Sequence, residues 1–266
     1  MLDNKDIKFF QENGYLIKKS EKIQNIKYFE NIIKHEIFKI KKIDKKKFQL
    51  DKLHKFINLK ELNNIRLELI KRFNLNRNNV KIFYESAKNI LDELVGNELM
   101  AQKNINISLQ LPKDKNSQLP MHSDVFGDES PFEVVVWIPM VDVNANSSSM
   151  FITKPSYNKL LVEKIINYKN KSISEIYQKN KKKFSFLSLK FGEILVFSPI
   201  LLHGNIINKT NLSRISLNCR FKSLLSPTDV LEKSTKNIPN FFTPLNVKPL
   251  TKIGFNFISK ITKKIK

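Results

Sequence analysis

The chain has 266 residues, 47 of them Lys or Arg against 25 Asp or Glu, for a formal charge of +22, and it is 41% hydrophobic and 10% aromatic. That apolar content excludes a disordered chain, six Gly and ten Pro exclude collagen-like or low-complexity structure, and a single Cys, Cys219, excludes an internal disulfide framework. The charge invites a nucleic-acid or anionic-membrane partner. Only five of the basic residues are Arg, however, and Lys, Asn and Ile are used heavily along the whole chain. Nucleic-acid readers favour arginine forks, so the charge reads as compositional and nucleic acid is disfavoured. A positive field would still attract an anionic small substrate.

The N-terminus, MLDNKDIKFFQENGY, lacks the apolar core of a signal peptide, and no run approaches the ~18–20 apolar residues of a membrane span. From these features we expect a cytoplasmic protein, in a reducing compartment.

Residues 1–98 read as mainly helical. KDIKFFQENGYLI is a short helix closed by Gly14, and residues 21–42 and 59–73 carry apolar side chains at three- and four-residue steps. SAKNILDELVGNELM starts at a candidate Ser86 cap and breaks near Gly96. Residues 42–55 form a charged connection. After residue 103 the period changes. In NINISLQL, Ile105, Ile107, Leu109 and Leu111 share one face and Asn106, Ser108 and Gln110 the other. FEVVVWIPMVDV gives a buried strand and a second short one, and SMFIT another. A lysine-rich helix near 158–181 precedes FSFLSL, GEILVFSP and LSRISLNCRFKSL.

Seven or so short strands without βαβ alternation predict an antiparallel sandwich or barrel, mainly β with flanking helices. We expect one domain over 1–266: a helical part at 1–98, a strand-rich core at 99–225 and an extension at 226–266. The tail, PLTKIGFNFISKITKKIK, predicts a basic amphipathic helix with Ile253, Phe257, Ile261 and Ile265 at four-residue steps. Such a helix either packs on its own domain with its lysines outward or lies on an anionic membrane surface.

The stretch PMHSDVFGDES carries the chemistry. His122 and Asp124 have the same parity, so an extended backbone sends both to one face, about 7 Å apart along the chain. Two such side chains could grip one metal ion; they could equally be a surface pair in a loop. His203 follows GEILVFSPILL, which reads as a strand, a turn and a second edge. Two His and one carboxylate leave three metal positions open, a set suited to non-haem Fe(II) and oxygen chemistry and also usable by zinc. No Glu stands at a metalloprotease spacing, which disfavours a zinc hydrolase.

Arg214 lies on the strand SRISLNCRF, where Ile215, Leu217, Cys219 and Phe221 form one face and Arg214, Ser216, Asn218 and Arg220 the other. That polar face is either solvated or faces a ligand. Arginine offers a bidentate fork for a carboxylate, and Ser216 adds a hydroxyl. His35 and His54, in the lysine-rich helical region, read as surface residues.

The order of these elements resembles a family. HSD at 122–124, WIPM at 137–140, GEILVF at 192–197, HGN at 203–205 and Arg-x-Ser at 214–216 resemble the phytanoyl-CoA dioxygenase-like branch of Fe(II)/2-oxoglutarate-dependent oxygenases. The resemblance spans roughly residues 100–222, and more loosely the N-terminal FFQENGYLI. HSDVFGDESPFEVVVWIPMVD is similar to a bacterial subgroup associated with carbohydrate-biosynthesis clusters.

The resemblance implies a double-stranded β-helix, or jelly roll, and a hydroxylase. His122, Asp124 and His203 would ligate Fe(II), and Arg214 with Ser216 would pair with the distal carboxylate of 2-oxoglutarate, with O2 as the oxidant. Trp137 would form an aromatic wall near the cosubstrate or be plain core. Gln110 and Asn205 are further candidates for polar contacts with it. The related halogenases replace the carboxylate with a small residue; Asp124 keeps it, which favours hydroxylation. The substrate would be a small molecule such as a sugar, a nucleotide-sugar or another anionic metabolite. Two rivals stay open: a non-catalytic jelly-roll binding protein, and a basic peripheral protein bound to membrane or nucleic acid.

Overall fold

The computed structural model of the chain describes residues 2–127, 129–145, 150–153, 175, 178–226 and 241–265. The lysine-rich helix expected at 158–181 lies largely outside these residues, as does 227–240 of the expected C-terminal extension.

The N-terminal helices form where local signals agree with burial. Helix α1 (Asn4–Asn13) opens on a capping box, with Asp3 and Asp6 each accepting from the other's backbone N–H. It ends at Gly14, whose φ of 70° is the left-handed cap that glycine adopts without penalty. Strand β1 (Tyr15–Lys19) follows at once, so the N-terminal part also contributes to the sheet. Helix α2 (Ile23–Ile40) buries Ile26, Phe29, Ile33 and Ile37 on one stripe.

Helix α3 (Leu59–Phe73) is capped by Asn58 and Glu61 and buries Leu62, Ile65, Leu69 and Phe73. Two shorter helices, α4 (Asn78–Ser86) and α5 (Lys88–Leu94), complete the layer. Ser86 is not the cap expected from sequence. It closes α4, and its hydroxyl donates back to the Ile82 carbonyl, leaving Ala87 at the start of α5. The charged connection at 42–55 is anchored by a 3-10 turn (Leu50–Lys55) that buries Leu50 and Leu53.

Among the described residues, nine further strands follow: β2 (Leu99–Gln102), β3 (Asn106–Gln110), β4 (Glu133–Pro139), β5 (Met150–Thr153), β6 (Phe184–Phe186), β7 (Glu193–Phe197), β8 (His203–Asn205), β9 (Arg214–Ser223) and β10 (Phe242–Asn246). Helix α6 (Pro249–Ile265) ends the described chain. Every pairing among the described residues is antiparallel. One sheet has the order β1-β7-β4-β9-β2-β10, with β3 also on β9; the other has the order β6-β5-β8. This is the jelly roll expected from sequence, with helices covering one sheet.

Strand β9 organises the molecule. On one side it pairs with β4 from Glu133↔Lys222 to Pro139↔Ser216. On the other it pairs with β2 near its end and with β3 from Asn106↔Asn218 to Gln110↔Arg214. Opposed residues share a face. Ile215, Leu217, Cys219 and Phe221 therefore join Ile107, Leu109, Val134, Val136 and Ile138 in a core with the helices. Phe83 of α4 stacks on Phe221 with centroids 6.2 Å apart. Asn74, at the end of α3, clamps the approach to β3: its amide donates to the Ile105 carbonyl at 2.9 Å and its oxygen accepts from the Ile105 N–H at 2.8 Å. Burial pushes the Cys219 thiol up to about 12, so it is inert core. The opposite face of β9 looks between the two sheets.

Candidate metal centre and anion pocket

Three separate segments bring the triad together. Strand β8 carries His203 and is held on one side by β5, with Ile152 opposite His203. On its other side, residues 119–122 pair with it: His122 N–H donates to the His203 carbonyl at 2.9 Å, and His203 N–H donates back at 2.8 Å. The chain then turns into a short 3-10 turn that begins at Asp124, so the pair does not sit on one extended face as its parity suggested. The turn brings the carboxylate round to both imidazoles. Gly204 makes the close approach feasible: a Cβ there would meet the Leu119 carbonyl oxygen at 2.7 Å and the Phe151 ring at 2.8 Å.

Asp124 Oδ1 lies 3.3 Å from His122 Nε2 and 3.6 Å from His203 Nε2, and one ligand atom from each residue falls within 4.8 Å of the others. Among the described residues this is the one cluster of three His, Cys, Asp or Glu able to hold a metal ion. The tautomers are set by the backbone. His122 Nδ1 is 2.8 Å from the Pro120 carbonyl and His203 Nδ1 is 2.9 Å from the Leu201 carbonyl. A carbonyl only accepts, so each Nδ1 carries a proton, and Nε2, on the Asp124 side, is the atom each ring can offer a metal once it is deprotonated. That is the arrangement a metal-binding imidazole needs.

The electrostatics follow from burial and these contacts. Burial pushes His203 down to about 4, reinforced by His122, so it is neutral near pH 7. Burial also pulls on His122, but its bond to Asp124 and the Pro120 carbonyl outweigh that and raise its pKa. For Asp124, burial is outweighed by His122, His203 and Arg220, which hold the carboxyl well below the usual range.

The triad opens into a cavity of ≈ 160 Å³ between the sheets. Arg214 and Trp137 are in its wall, and so are Ser108, Asn205, Met150 and Phe197. Arg214 is only 4% exposed, and burial pulls its guanidinium down to about 10. A charge placed so deep favours an anionic ligand. Ser216 lies between Arg214 and Asn218 on the same face, is fully buried, and its Oγ has no hydrogen-bond partner among the described residues. Trp137 is both wall and core, packed with Val135, Leu195 and Phe197. Asn205 is in the wall, but its oxygen already accepts from the Leu119 N–H at 2.7 Å. Gln110 sits opposite Arg214 in the β3–β9 register, outside the cavity wall; its amide donates to the Ile206 carbonyl at 2.7 Å, and its Oε1 has no partner among the described residues.

Sequence reasoning gave no role to Arg220, Glu129 or Glu133. Arg220 Nη2 is 3.0 Å from Asp124 Oδ2, with Glu129 at 3.6 Å and Glu133 at 4.0 Å from other guanidinium nitrogens. Burial and the Glu129 charge push Glu133 up to about 7. The parity of Arg214 and Arg220 on β9 was the available signal. Of the two other histidines, His35 is exposed as expected. His54 is not a free surface residue: its ring and its N–H both engage Ser213 Oγ at 3.0 Å, tying the 3-10 turn to the start of β9.

No family model matches the chain, and no curated protein matches it by sequence. Solved structures do share its fold. A non-heme monooxygenase, ThoJ, in complex with nickel is 12% identical, with a TM-score of 0.53 over 92% of this chain and 84% of that one. HygX from Streptomyces hygroscopicus, with nickel and 2-oxoglutarate bound, is 13% identical, with a TM-score of 0.52 over 85% and 88%. The non-heme alpha ketoglutarate dependent carbocyclase SnoK from nogalamycin biosynthesis is 14% identical, with a TM-score of 0.52 over 92% and 97%.

Proposed function

We propose that the protein is a non-haem Fe(II)- and 2-oxoglutarate-dependent oxygenase, acting as one catalytic unit, that hydroxylates a small molecule. The observation that carries this reading is the convergence of His122 Nε2, His203 Nε2 and Asp124 Oδ1 in the cavity whose wall also holds the buried Arg214. The shared fold with a structure holding nickel and 2-oxoglutarate supports it.

The residues fit both groups. The backbone-fixed tautomers present two nitrogen lone pairs and one carboxylate oxygen to a metal, and a 2-His-1-carboxylate set suits Fe(II). Arg214 supplies a fork for the distal carboxylate of 2-oxoglutarate, and the unpartnered Ser216 hydroxyl supplies a further donor. When bound, Fe(II), 2-oxoglutarate and O2 would together supply the oxidising chemistry that places a hydroxyl on a substrate carbon, with succinate and CO2 as co-products.

The chain's own part is to orient and to keep dry. Asp124 offers Oδ1 to the metal while Arg220 holds Oδ2. Trp137, Met150 and Phe197 give part of the cavity wall an apolar surface, which would favour a dry reaction site. The phytanoyl-CoA dioxygenase-like branch is the nearer kinship we infer, from the HSD, HGN and Arg-x-Ser pattern. Within it, a sugar, nucleotide-sugar or other anionic metabolite is the substrate class we favour, on the subgroup resemblance and the positive field.

The test needs no substrate. Fe(II) is added anaerobically to the apoprotein, then 2-oxoglutarate, and the visible spectrum is recorded. A weak metal-to-keto-acid band is expected in the wild type, lost in His203→Ala and weakened in Arg214→Ala. No band, with neither metal nor keto acid bound, would leave a jelly-roll binding protein instead.

A further inference from the structure

Helix α6 is fixed at its base, and the apolar side chains described in its first half are exposed. Strand β10 pairs with β2, and Glu98 caps the helix start, accepting from the Lys248 N–H at 2.7 Å and from Thr251 Oγ1 at 3.0 Å. An acidic side chain there complements the helix dipole, so this end is firmly placed. Among the described residues past that point, the apolar side of the helix is not laid on the domain. Leu250 is 79% exposed, Ile253 67% and Phe257 64%. These three residues share one side of a 3.6-residue period.

The sequence continues the same step to Ile261 and Ile265, while Lys252, Lys260 and Lys263 fall on the adjoining arc. No Asp or Glu occurs after Glu232, against six Lys between 248 and 266. Among the described residues, no helix is long and apolar enough to cross a membrane. A 17-residue helix with an apolar stripe beside a lysine arc has the build of one that lies in a lipid–water interface.

We propose that α6 is a surface anchor that seats its Leu250–Ile253–Phe257 side in the headgroup boundary of an anionic lipid bilayer, with its lysines at the phosphate level. The occupant is chosen by charge. A protein groove would have to supply apolar surface and many acidic groups, whereas an anionic leaflet presents both at once. Lysine also serves here without the arginine forks that specific readers use, because a membrane surface asks for diffuse positive charge and long stems that reach past the apolar layer. The inference is independent of the proposed oxygenase activity.

The test is co-sedimentation of the full chain with vesicles of phosphatidylcholine alone or containing phosphatidylserine. The expected result is at least tenfold stronger partitioning to the phosphatidylserine vesicles, falling as NaCl rises from roughly 50 to 500 mM. The I253D/F257D variant should lose at least tenfold in partitioning, and a Lys252→Ser, Lys263→Ser, Lys264→Ser variant should lose its preference for anionic lipid. Both should melt at the wild-type temperature, because the replaced groups that the structure describes are exposed. Failure of the wild type to bind anionic vesicles would overturn the proposal. So would undiminished binding by I253D/F257D, which is the signature of simple polyanion attraction and would be matched by heparin. A concentration-dependent dimer abolished by the same variant would assign the helix to a second copy of the chain instead.

Discussion

Arg220 Nη2 lies 3.0 Å from Asp124 Oδ2, while Oδ1 of the same carboxylate faces both His122 and His203. The carboxylate is thus divided, one oxygen held by the protein and one turned to the candidate metal position. Arg220→Gln should weaken divalent-metal affinity by roughly 10–100-fold, the usual effect of losing a group that orients a ligand. Arg220→Lys, which keeps the charge but not the fork, should recover part of it. Titration with Co(II) or Fe(II), followed spectroscopically, checks this; unchanged affinity in Arg220→Gln would remove the orienting role.

Metal binding should release protons in a pH-dependent way. His203 is already neutral near pH 7, whereas His122 has a raised pKa and must give up its Nε2 proton. Affinity should therefore fall as pH drops below the raised His122 pKa, and proton release per metal should decline toward zero as pH rises above it. Calorimetry in buffers of differing ionisation enthalpy reads the count directly.

Ser216→Ala separates folding from binding. The hydroxyl has no partner among the described residues, so its loss should change stability by less than about 1 kcal/mol, or increase it. Affinity for 2-oxoglutarate should fall by roughly 3–10-fold, the worth of one hydrogen bond. Thermal unfolding together with keto-acid titration tests both halves.

Glu133 makes stability depend on pH. Its folded pKa of about 7 stands above the ordinary value of 4.5, so the folded state holds a proton that the unfolded chain has lost between those values. Its contribution is fully present below about pH 4.5 and disappears as pH rises through 7, up to about 3 kcal/mol in all. Glu133→Gln should lack this loss and exceed the wild type in stability above pH 8. Urea midpoints measured from pH 5 to 9 would show it.

Gly204→Ala should be costly even though the side chain added is one methyl. The Leu119 carbonyl, the Phe151 ring and the Pro120 carbonyl all stand within 2.9 Å of the new Cβ. Separating β8 from residues 119–122 should cost roughly 1–3 kcal/mol or more and pull His203 away from His122, so metal affinity falls alongside the melting temperature.

The strands were legible where one face is apolar and the other polar. NINISLQL and SRISLNCRF gave β3 and β9 with both faces assigned correctly, and the HSD and HGN segments do converge in space. The shorter pieces were not legible. YLIKK of β1, LMAQ of β2 and FTPLN of β10 are too brief or too mixed for a period to emerge; they are strands because the sheet offers them partners. Ser86 carried a capping signal, but its hydroxyl found the Ile82 carbonyl one turn back. Arg220 was visible as a polar-face residue, yet its role depends on where the 3-10 turn places Asp124, and no local pattern states that.

Strand β9 has a consequence for the fidelity of folding. Its odd-numbered residues make the core with the helices, and its even-numbered residues furnish Arg214, Asn218 and Arg220 to the cavity. A slip of one residue would drive two guanidinium groups into the helical layer and turn Ile215, Leu217 and Phe221 toward the cavity. No misregistered form can therefore keep a sound interior and a defective pocket. The chain proofreads its own pocket in the act of burying its oil.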